Sequence, residues 1–329
     1  EYKTYLEKTF KETKVPVEVV DDDGPIIEPT FKAWWGVPDM PKINFKNDGA
    51  RQWALDVTEH WIKNFDIDGW RMDVAKELDF SFWKDFRDVA YSAKKDILLI
   101  SEIFGDTSQW LQGERFDGTM NYSFRETMTD YFATKRIDNK EFANSLANLY
   151  SMYSFEALSS CQNLLSSHDV KRFLNRCGAN TDGMFGAIFL QATFPGIAGI
   201  YYGDEIGLGG ADDPFNREPF PWESEDKWNK DLLKFTSELM NIKTSQPILR
   251  YGNFEMVTYD DNYVIFRRVL NDESLLCIVN RDLNNKDIEL NTNAHSVDIV
   301  YGDCTIELDS GKLKITDIAD NFGLIIKES

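Results

Sequence analysis

From Asn47 onward the apolar positions of this chain fall into a rhythm: short apolar runs alternate with stretches of helical period. Asn47 or Asp48 can cap a helix in which Trp53, Val57, Trp61 and Phe65 share one stripe. FDIDGWRMDV then reads as a short buried strand, with Trp70, Met72 and Val74 alternating with Gly69, Arg71 and Asp73. Ser81 can cap the next helix, with Phe82, Phe86, Val89, Ala90 and Ala93 inward. DILLISEI (96–103) and FDGTMNY (116–122) read as strands, followed by helices around 124–136 and 140–151. CQNLLSSHD (161–169) is a strand, 182–193 a helix, GIAGIYYGDE (196–205) a strand, and 229–243 a closing helix. Strand–helix units in this order imply parallel strands with helices outside.

The ends of the chain read differently. After Pro247 come NFEMVTYDD, NYVIFRRVL, SLLCIVNRD, KDIEL, SVDIVYG and FGLIIKE, short strands separated by Asn, Asp and Gly turns. They form a separate all-β module. At the other end, EYKTYLEKTFKETK suggests a charged helix and VDDDGPIIEP a loop. The expected organisation is a loop region over 1–45, an α/β region over 46–247 and a β-sandwich over 248–329.

Composition narrows the class of ligand. The net charge of −20 repels phosphate backbones and acidic lipid surfaces, so neither nucleic acid nor membrane is an expected partner. A neutral ligand with apolar faces, such as a sugar, suits the 14% aromatic content. Cys161, Cys177, Cys277 and Cys304 follow no zinc spacing and read as free thiols, which favours a reducing, cytoplasmic setting. No apolar run approaches a membrane span, and no signal peptide is visible, although the chain opens on Glu1 rather than Met.

Charge and polarity gather at the strand ends: Arg71 and Asp73, Glu102, Asn121, His168 and Asp169, then Tyr202 to Glu205. Any one of these is explained by a helix cap or a buried ion pair. Together they point to a parallel barrel, whose strand C-termini share one face. Two carboxylates on neighbouring strands are what glycoside hydrolysis needs, one to attack or stabilise the anomeric carbon and one to protonate the leaving oxygen. Asp73 and Glu102 sit on adjacent strands, so the spacing of about 5–5.5 Å that goes with retention of configuration is expected. Arg71 faces the same way as Asp73 and offers it a counter-charge. The apolar ILLIS ahead of Glu102 favours a raised pKa, as a proton donor requires. A Ser-His-Asp triad from Ser166, Ser167, His168 and Asp169 is disfavoured, since no G-x-S-x-G elbow is present.

The chain resembles the α-amylase family of glycoside hydrolases, especially its cyclomaltodextrinase, neopullulanase and maltogenic amylase branch. MPKIN (40–44), DGWRMDVAKELDFSFWKDFR (68–87), ISEIFGD (100–106), FDGTMNYSF (116–124), QNLLSSHDVKR (162–172) and FPGIAGIYYGDEIGLGGADDP (194–214) carry the likeness. The resemblance implies a (β/α)8 TIM barrel, of which this chain holds roughly strands 4–8, plus a C-terminal all-β sandwich domain. It implies Asp73 as nucleophile, Glu102 as general acid/base and Asp169 as transition-state stabiliser. Arg71, His168, Lys76, Glu77, Phe104, Asn121 and Arg172 would line the substrate. The implied substrates are α-1,4 and α-1,6 linked maltodextrins, cyclomaltodextrins or pullulan. The chemistry requires no cofactor or metal, and calcium ligands in many members belong to the earlier part of the barrel.

Several positions depart from the family pattern. Lys76 and Glu77 mix two branch patterns, Phe104 stands where Trp is common, and Ala198 stands where Pro is common. The family's first motif, an Asp-x-x-x-Asn-His pattern, has no counterpart before MPKIN. The first barrel strands are therefore expected from a longer chain or a partner, and an oligomer would form through such an N-terminal region. Two alternatives share this scaffold: an α-glucanotransferase, and a non-catalytic binding relative, which would typically have lost the acids.

Overall fold

A computed structural model describes residues 18–21, 24–27, 31–281, 286–319 and 322–329. Two compact units divide it, one within residues 1–67 with 88–95 and one of residues 68–87 with 96–329.

In the first unit, β1 (Glu18–Asp21) pairs antiparallel with β2 (Gly24–Ile27). A loop was expected here. β-branched residues on either side of an Asp–Gly junction favour a hairpin instead. The charged helix expected over 1–14 lies outside the described residues. The next helix, Asp48–Phe65, starts where Asn47 Oδ1 accepts the Ala50 N–H at 3.0 Å. In this chain Trp53, Trp61 and Phe65 are exposed, while Leu55, Thr58 and Ile62 are buried. Both sets fit a helical period, so spacing alone could not choose between them.

The second unit contains β3 (Gly69–Met72), β4 (Leu98–Ser101) and β5 (Gly118–Thr119), all parallel. β6 (Gln162–Leu164) and β7 (Ile197–Gly199) form a second parallel pair. A parallel bridge from Met120 to Gln162 joins the two groups. The order β3-β4-β5-β6-β7 follows the chain and corresponds to strands four to eight of a (β/α)8 barrel. The strands are shorter than their apolar runs because their ends turn away to other tasks. β3 stops at Met72, and Val74 takes a left-handed backbone with φ 44°. Asn121 leaves β5 to cap the helix Tyr122–Met128.

Asp182–Thr193 is a helix, as its pattern predicts, and it is buried almost all round. The helix expected to run to 136 instead changes at Thr129–Ala133 into a π turn. Asp79, not Ser81, caps the helix Phe80–Ala93, its Oδ1 accepting the Ser81 N–H at 2.8 Å.

The last module holds β8 (Asn253–Tyr259), β9 (Val264–Leu270), β10 (Glu273–Val279), β11 (Ile288–Asn291), β12 (Val297–Tyr301), β13 (Thr305–Asp309), β14 (Lys312–Thr316) and β15 (Gly323–Glu328). An antiparallel sheet ordered β12-β15-β10-β9-β8 faces a smaller one ordered β11-β14-β13. Ile265, Leu276, Ile278 and Ile326 from the first share a core with Ile288, Leu313 and Ile315 from the second, which makes a sandwich.

Two buried cations meet the end of the helix Asp182–Thr193: Arg268 from β9 of this module, and Lys243 from the preceding helix Lys230–Ser245. Arg268 donates to Thr193 O at 2.6 Å, Leu249 O at 3.0 Å and Gly252 O at 2.7 Å. Lys243 donates to Ala192 O and Phe194 O. Both cations meet carbonyls released at helix C-termini, where positive charge is favoured. Burial, helped by the neighbouring Arg268, pushes the Lys243 ammonium down to about 7. The unfolded chain therefore holds a proton that the folded one has shed between about pH 7 and 10, and stability rises with pH across that window. Lys243→Met is expected to flatten this rise and to be the more stable protein at pH 6. Urea midpoints at pH 6, 8 and 9.5 check it; parallel curves for the two proteins would contradict the assignment.

Candidate active site

The strand ends converge on a single guanidinium. Arg71, on β3, places Nη1 2.6 Å from Asp73 Oδ1 and Nη2 2.5 Å from Glu102 Oε1. Asp73 lies just past the strand and is exposed, whereas Glu102, immediately after β4, is buried. Between them the backbone is strained. Val74 is β-branched and left-handed, a combination that costs about 1–3 kcal/mol. In that conformation its N–H points at Glu102 Oε2, 3.2 Å away. Burial pushes the Glu102 carboxyl up to about 7, outweighing the Val74 N–H and the Arg71 charge, which favour ionisation. Asp73 and Asp169 raise it further.

His168 and Asp169 complete the cluster from the loop after β6. His168 Nε2 lies 3.1 Å from Asp169 Oδ2, and both side chains are partly exposed. Ligand atoms of Glu102, His168 and Asp169 lie within 4.8 Å of one another. This trio does not suit calcium, which takes six to eight oxygen ligands, because one of its three donors is a nitrogen.

Buried polar networks hold the loops that carry these groups. Asn121 Nδ2 donates to Asn163 Oδ1 at 2.9 Å, and Asn163 Nδ2 donates to Pro195 O at 2.8 Å. Gln191 Nε2 bridges Asn163 O and Gly199 O. These amides tie β5, β6 and β7 together just beneath the site. A second network uses Arg172, which donates to Tyr202 O at 2.7 Å and stacks against the rings of Tyr201 and Tyr202. Ser166 Oγ donates to Asp204 Oδ1 at 2.8 Å and accepts the Phe173 N–H.

The expected site residues thus divide. Asp73, Glu102, Asp169, Arg71 and His168 come together. Phe104 is exposed and stacks on Tyr122 at 3.8 Å between ring centroids. Lys76 and Glu77 sit on the turn Ala75–Glu77 that follows Asp73, the first exposed and the second half-buried. Asn121 and Arg172 are corrections. Both side chains are buried and committed to the networks above, so they position the site and do not line it. Ser166 and Ser167 are likewise buried in hydrogen bonds, Ser167 with the Tyr122 hydroxyl.

Arg217 was not anticipated. Its Nε donates to His168 O at 3.0 Å, and its Nη2 lies 3.4 Å from Asp169 Oδ1. Arg217 also pairs with Asp213. It belongs to a polar loop without periodicity, and the only clue in the sequence is a charged residue soon after the YYGDE strand end. Tyr122 was missed too, because it reads as the last residue of a strand.

Comparison with known proteins bears on this geometry. Residues 30–248 match the family model described as the α-amylase catalytic domain. A cyclomaltodextrinase of Geobacillus thermopakistaniensis is 36% identical over 255 residues, which cover 77% of this chain and 43% of that protein. Neopullulanase 2 of Thermoactinomyces vulgaris is 39% identical over 246 residues, covering 74% of this chain and 42% of that protein. The chain therefore spans less than half the length of these relatives. Among solved structures, a Nostoc punctiforme debranching enzyme superposes with a TM-score of 0.83 at 29% identity, over 91% of this chain and 66% of its own. A family match across most of the chain, on a half barrel with carboxylates at its strand ends, leads to one conclusion: this chain belongs to the α-amylase family.

Proposed function

We propose that the protein carrying this chain is a retaining α-glucan hydrolase that cleaves α-1,4, and in branched substrates α-1,6, glucosidic bonds. The observation that carries this reading is the Arg71 bridge. One guanidinium in contact with both Asp73 and Glu102 favours the shorter of the two carboxyl spacings, the one that goes with retention. The relatives named cyclomaltodextrinase, neopullulanase and maltogenic α-amylase support the substrate class. In this reading residues 46–247 supply the catalytic half barrel and 248–329 an accessory sandwich.

The proposed reaction assigns each group one role. Asp73 attacks the anomeric carbon as the glycosidic bond breaks, and the leaving oxygen takes the proton of Glu102. The covalent glycosyl ester on Asp73 is then attacked by water, which gives its proton back to Glu102. Arg71 stabilises the carboxylates before and after the proton moves. Asp169 lies close enough to Glu102 and His168 to oppose the positive charge that develops on the sugar. His168 offers a donor to a sugar hydroxyl. Arg217 holds Asp169 and the His168 backbone in place.

Two outcomes are expected. Asp73→Asn lowers turnover on maltodextrins by at least about 1,000-fold while binding persists. Proton NMR of the first product formed by the unaltered protein shows the α-anomer. A β-anomer at early times would rule out retention.

The pH profile tests the other carboxyl. Glu102 must be protonated to act as an acid, so kcat/KM falls as pH rises through about 7. Glu102→Gln removes this alkaline limb. Glycosides with an activated leaving group lose far less from that substitution than maltose does, since they need no proton. An alkaline limb that survives in Glu102→Gln would assign the ionisation elsewhere.

A further inference from the structure

The helix Tyr122–Met128 carries a buried charge to which the reaction above gives no role. Arg125 is 1% exposed, and a guanidinium taken out of water needs partners to offset that cost. Its Nε donates to Leu165 O at 2.9 Å and its Nη2 to Lys171 O at 3.2 Å. Its Nη1 donates to Glu126 Oε1 at 2.8 Å, but Glu126 is exposed and water screens that pair. Leu165 and Lys171 stand on the two legs of one turn. Ser167 and Val170 pair antiparallel across it, which leaves His168 and Asp169 as the two residues at its tip.

We propose that Arg125 is a positioning residue: it clamps the legs of this turn and so sets where the Asp169 carboxylate stands relative to Glu102. This assignment rests on reading Asp169 as the group that opposes positive charge on the sugar. Two carbonyls aimed at one point repel each other, and a donor between them holds their legs at a set spacing. Nε and Nη2 share one edge of a rigid planar fork, so covalent geometry fixes that spacing. The clamp has a firm mount. Asn121 caps the same helix with its Oδ1, and its backbone N–H donates to Gln162 O of β6 at 2.8 Å. Tyr122, three residues before Arg125 and so on the same helix face, meets Ser167 Oγ at 3.1 Å, and Ser167 Oγ accepts the Asp169 N–H at 3.2 Å. Asn216 Nδ2 donates to His168 O and Val170 O. The contacts of the Asp169 carboxylate itself, with His168 and Arg217, are partly exposed. Its place therefore depends on the backbone beneath it, and Arg125 holds that backbone at both ends of the turn.

A double-mutant cycle in the protein carrying this chain tests the clamp. Turnover of an activated nitrophenyl maltotrioside is measured for the unaltered protein, Arg125→Met, Asp169→Asn and the double variant, with circular dichroism to confirm folding. A reacting group displaced by about 1 Å can cost roughly 100-fold, so Arg125→Met is expected to lower kcat by about 10- to 100-fold and to leave KM within about twofold. In the Asp169→Asn background the same substitution costs less than about twofold, because the group it positions is gone. Arg125→Lys keeps the charge without the planar edge and loses roughly fivefold in kcat, and it takes the place of Arg125→Met in the cycle if that variant does not fold. Full turnover in either folded Arg125 variant, beside a crippled Asp169→Asn, overturns the clamp and leaves the α-glucan reading intact. Losses that multiply in the double variant show that Arg125 acts apart from Asp169, and the inference fails. Full turnover in Asp169→Asn overturns the role given to Asp169 and the clamp with it.

Discussion

The whole site depends on one guanidinium that must serve two carboxyls of unlike surroundings. Arg71 reaches an exposed aspartate and a buried glutamate from the same strand. Arginine suits this because its planar fork presents several donors at fixed angles and stays charged. A lysine would offer a single charged point to one partner at a time. The geometry also requires β4 to carry Glu102 alongside Arg71, and the parallel register does this by pairing Arg71 with Ile100, two residues before the acid. Val74 accepts an unfavourable backbone so that its N–H points toward the same carboxyl. The surrounding elements exist, in this sense, to keep three side chains and one N–H in register.

Much of this was legible in the sequence. Arg71 and Asp73 share a face of an apolar run, and Glu102 ends another. That alone placed both acids at strand ends. The helix Asp182–Thr193 was legible because nearly every position in it is apolar or small. The exposed stripe of Asp48–Phe65 was not, since two stripes on one helix satisfy the same period and only packing decides between them. Asn121 and Arg172 show a different limit. A polar residue at a strand end reads the same whether it lines a site or props it up. Burial separates the two roles, and burial depends on residues far away in the chain, such as Asn163 for the first and Tyr202 for the second. Arg217 marks a third limit, because loop residues leave no periodic trace and meet their partners only in space.

The C-terminal sandwich shows the same economy at a distance from the chemistry. Its attachment uses the buried Arg268 meeting helix carbonyls, with no carboxylate among the partners described for it. Carbonyl partners satisfy the donors without adding a second charge that would also have to be desolvated. Burial is the main reason that the nearby Lys243 is so easily neutralised, and repulsion from Arg268 adds to it.

The amide ladder of Asn121, Asn163 and Gln191 has a consequence for how the half barrel assembles. Parallel strands come from distant stretches of sequence, and β5, β6 and β7 are so short that apolar packing alone distinguishes poorly between one alignment and the next. Slipping any of them would strand several amides in a dry interior, each costing about 1–3 kcal/mol. The ladder therefore penalises misaligned pairings, and the alignment that satisfies its amides is also the one in which the acids are neighbours.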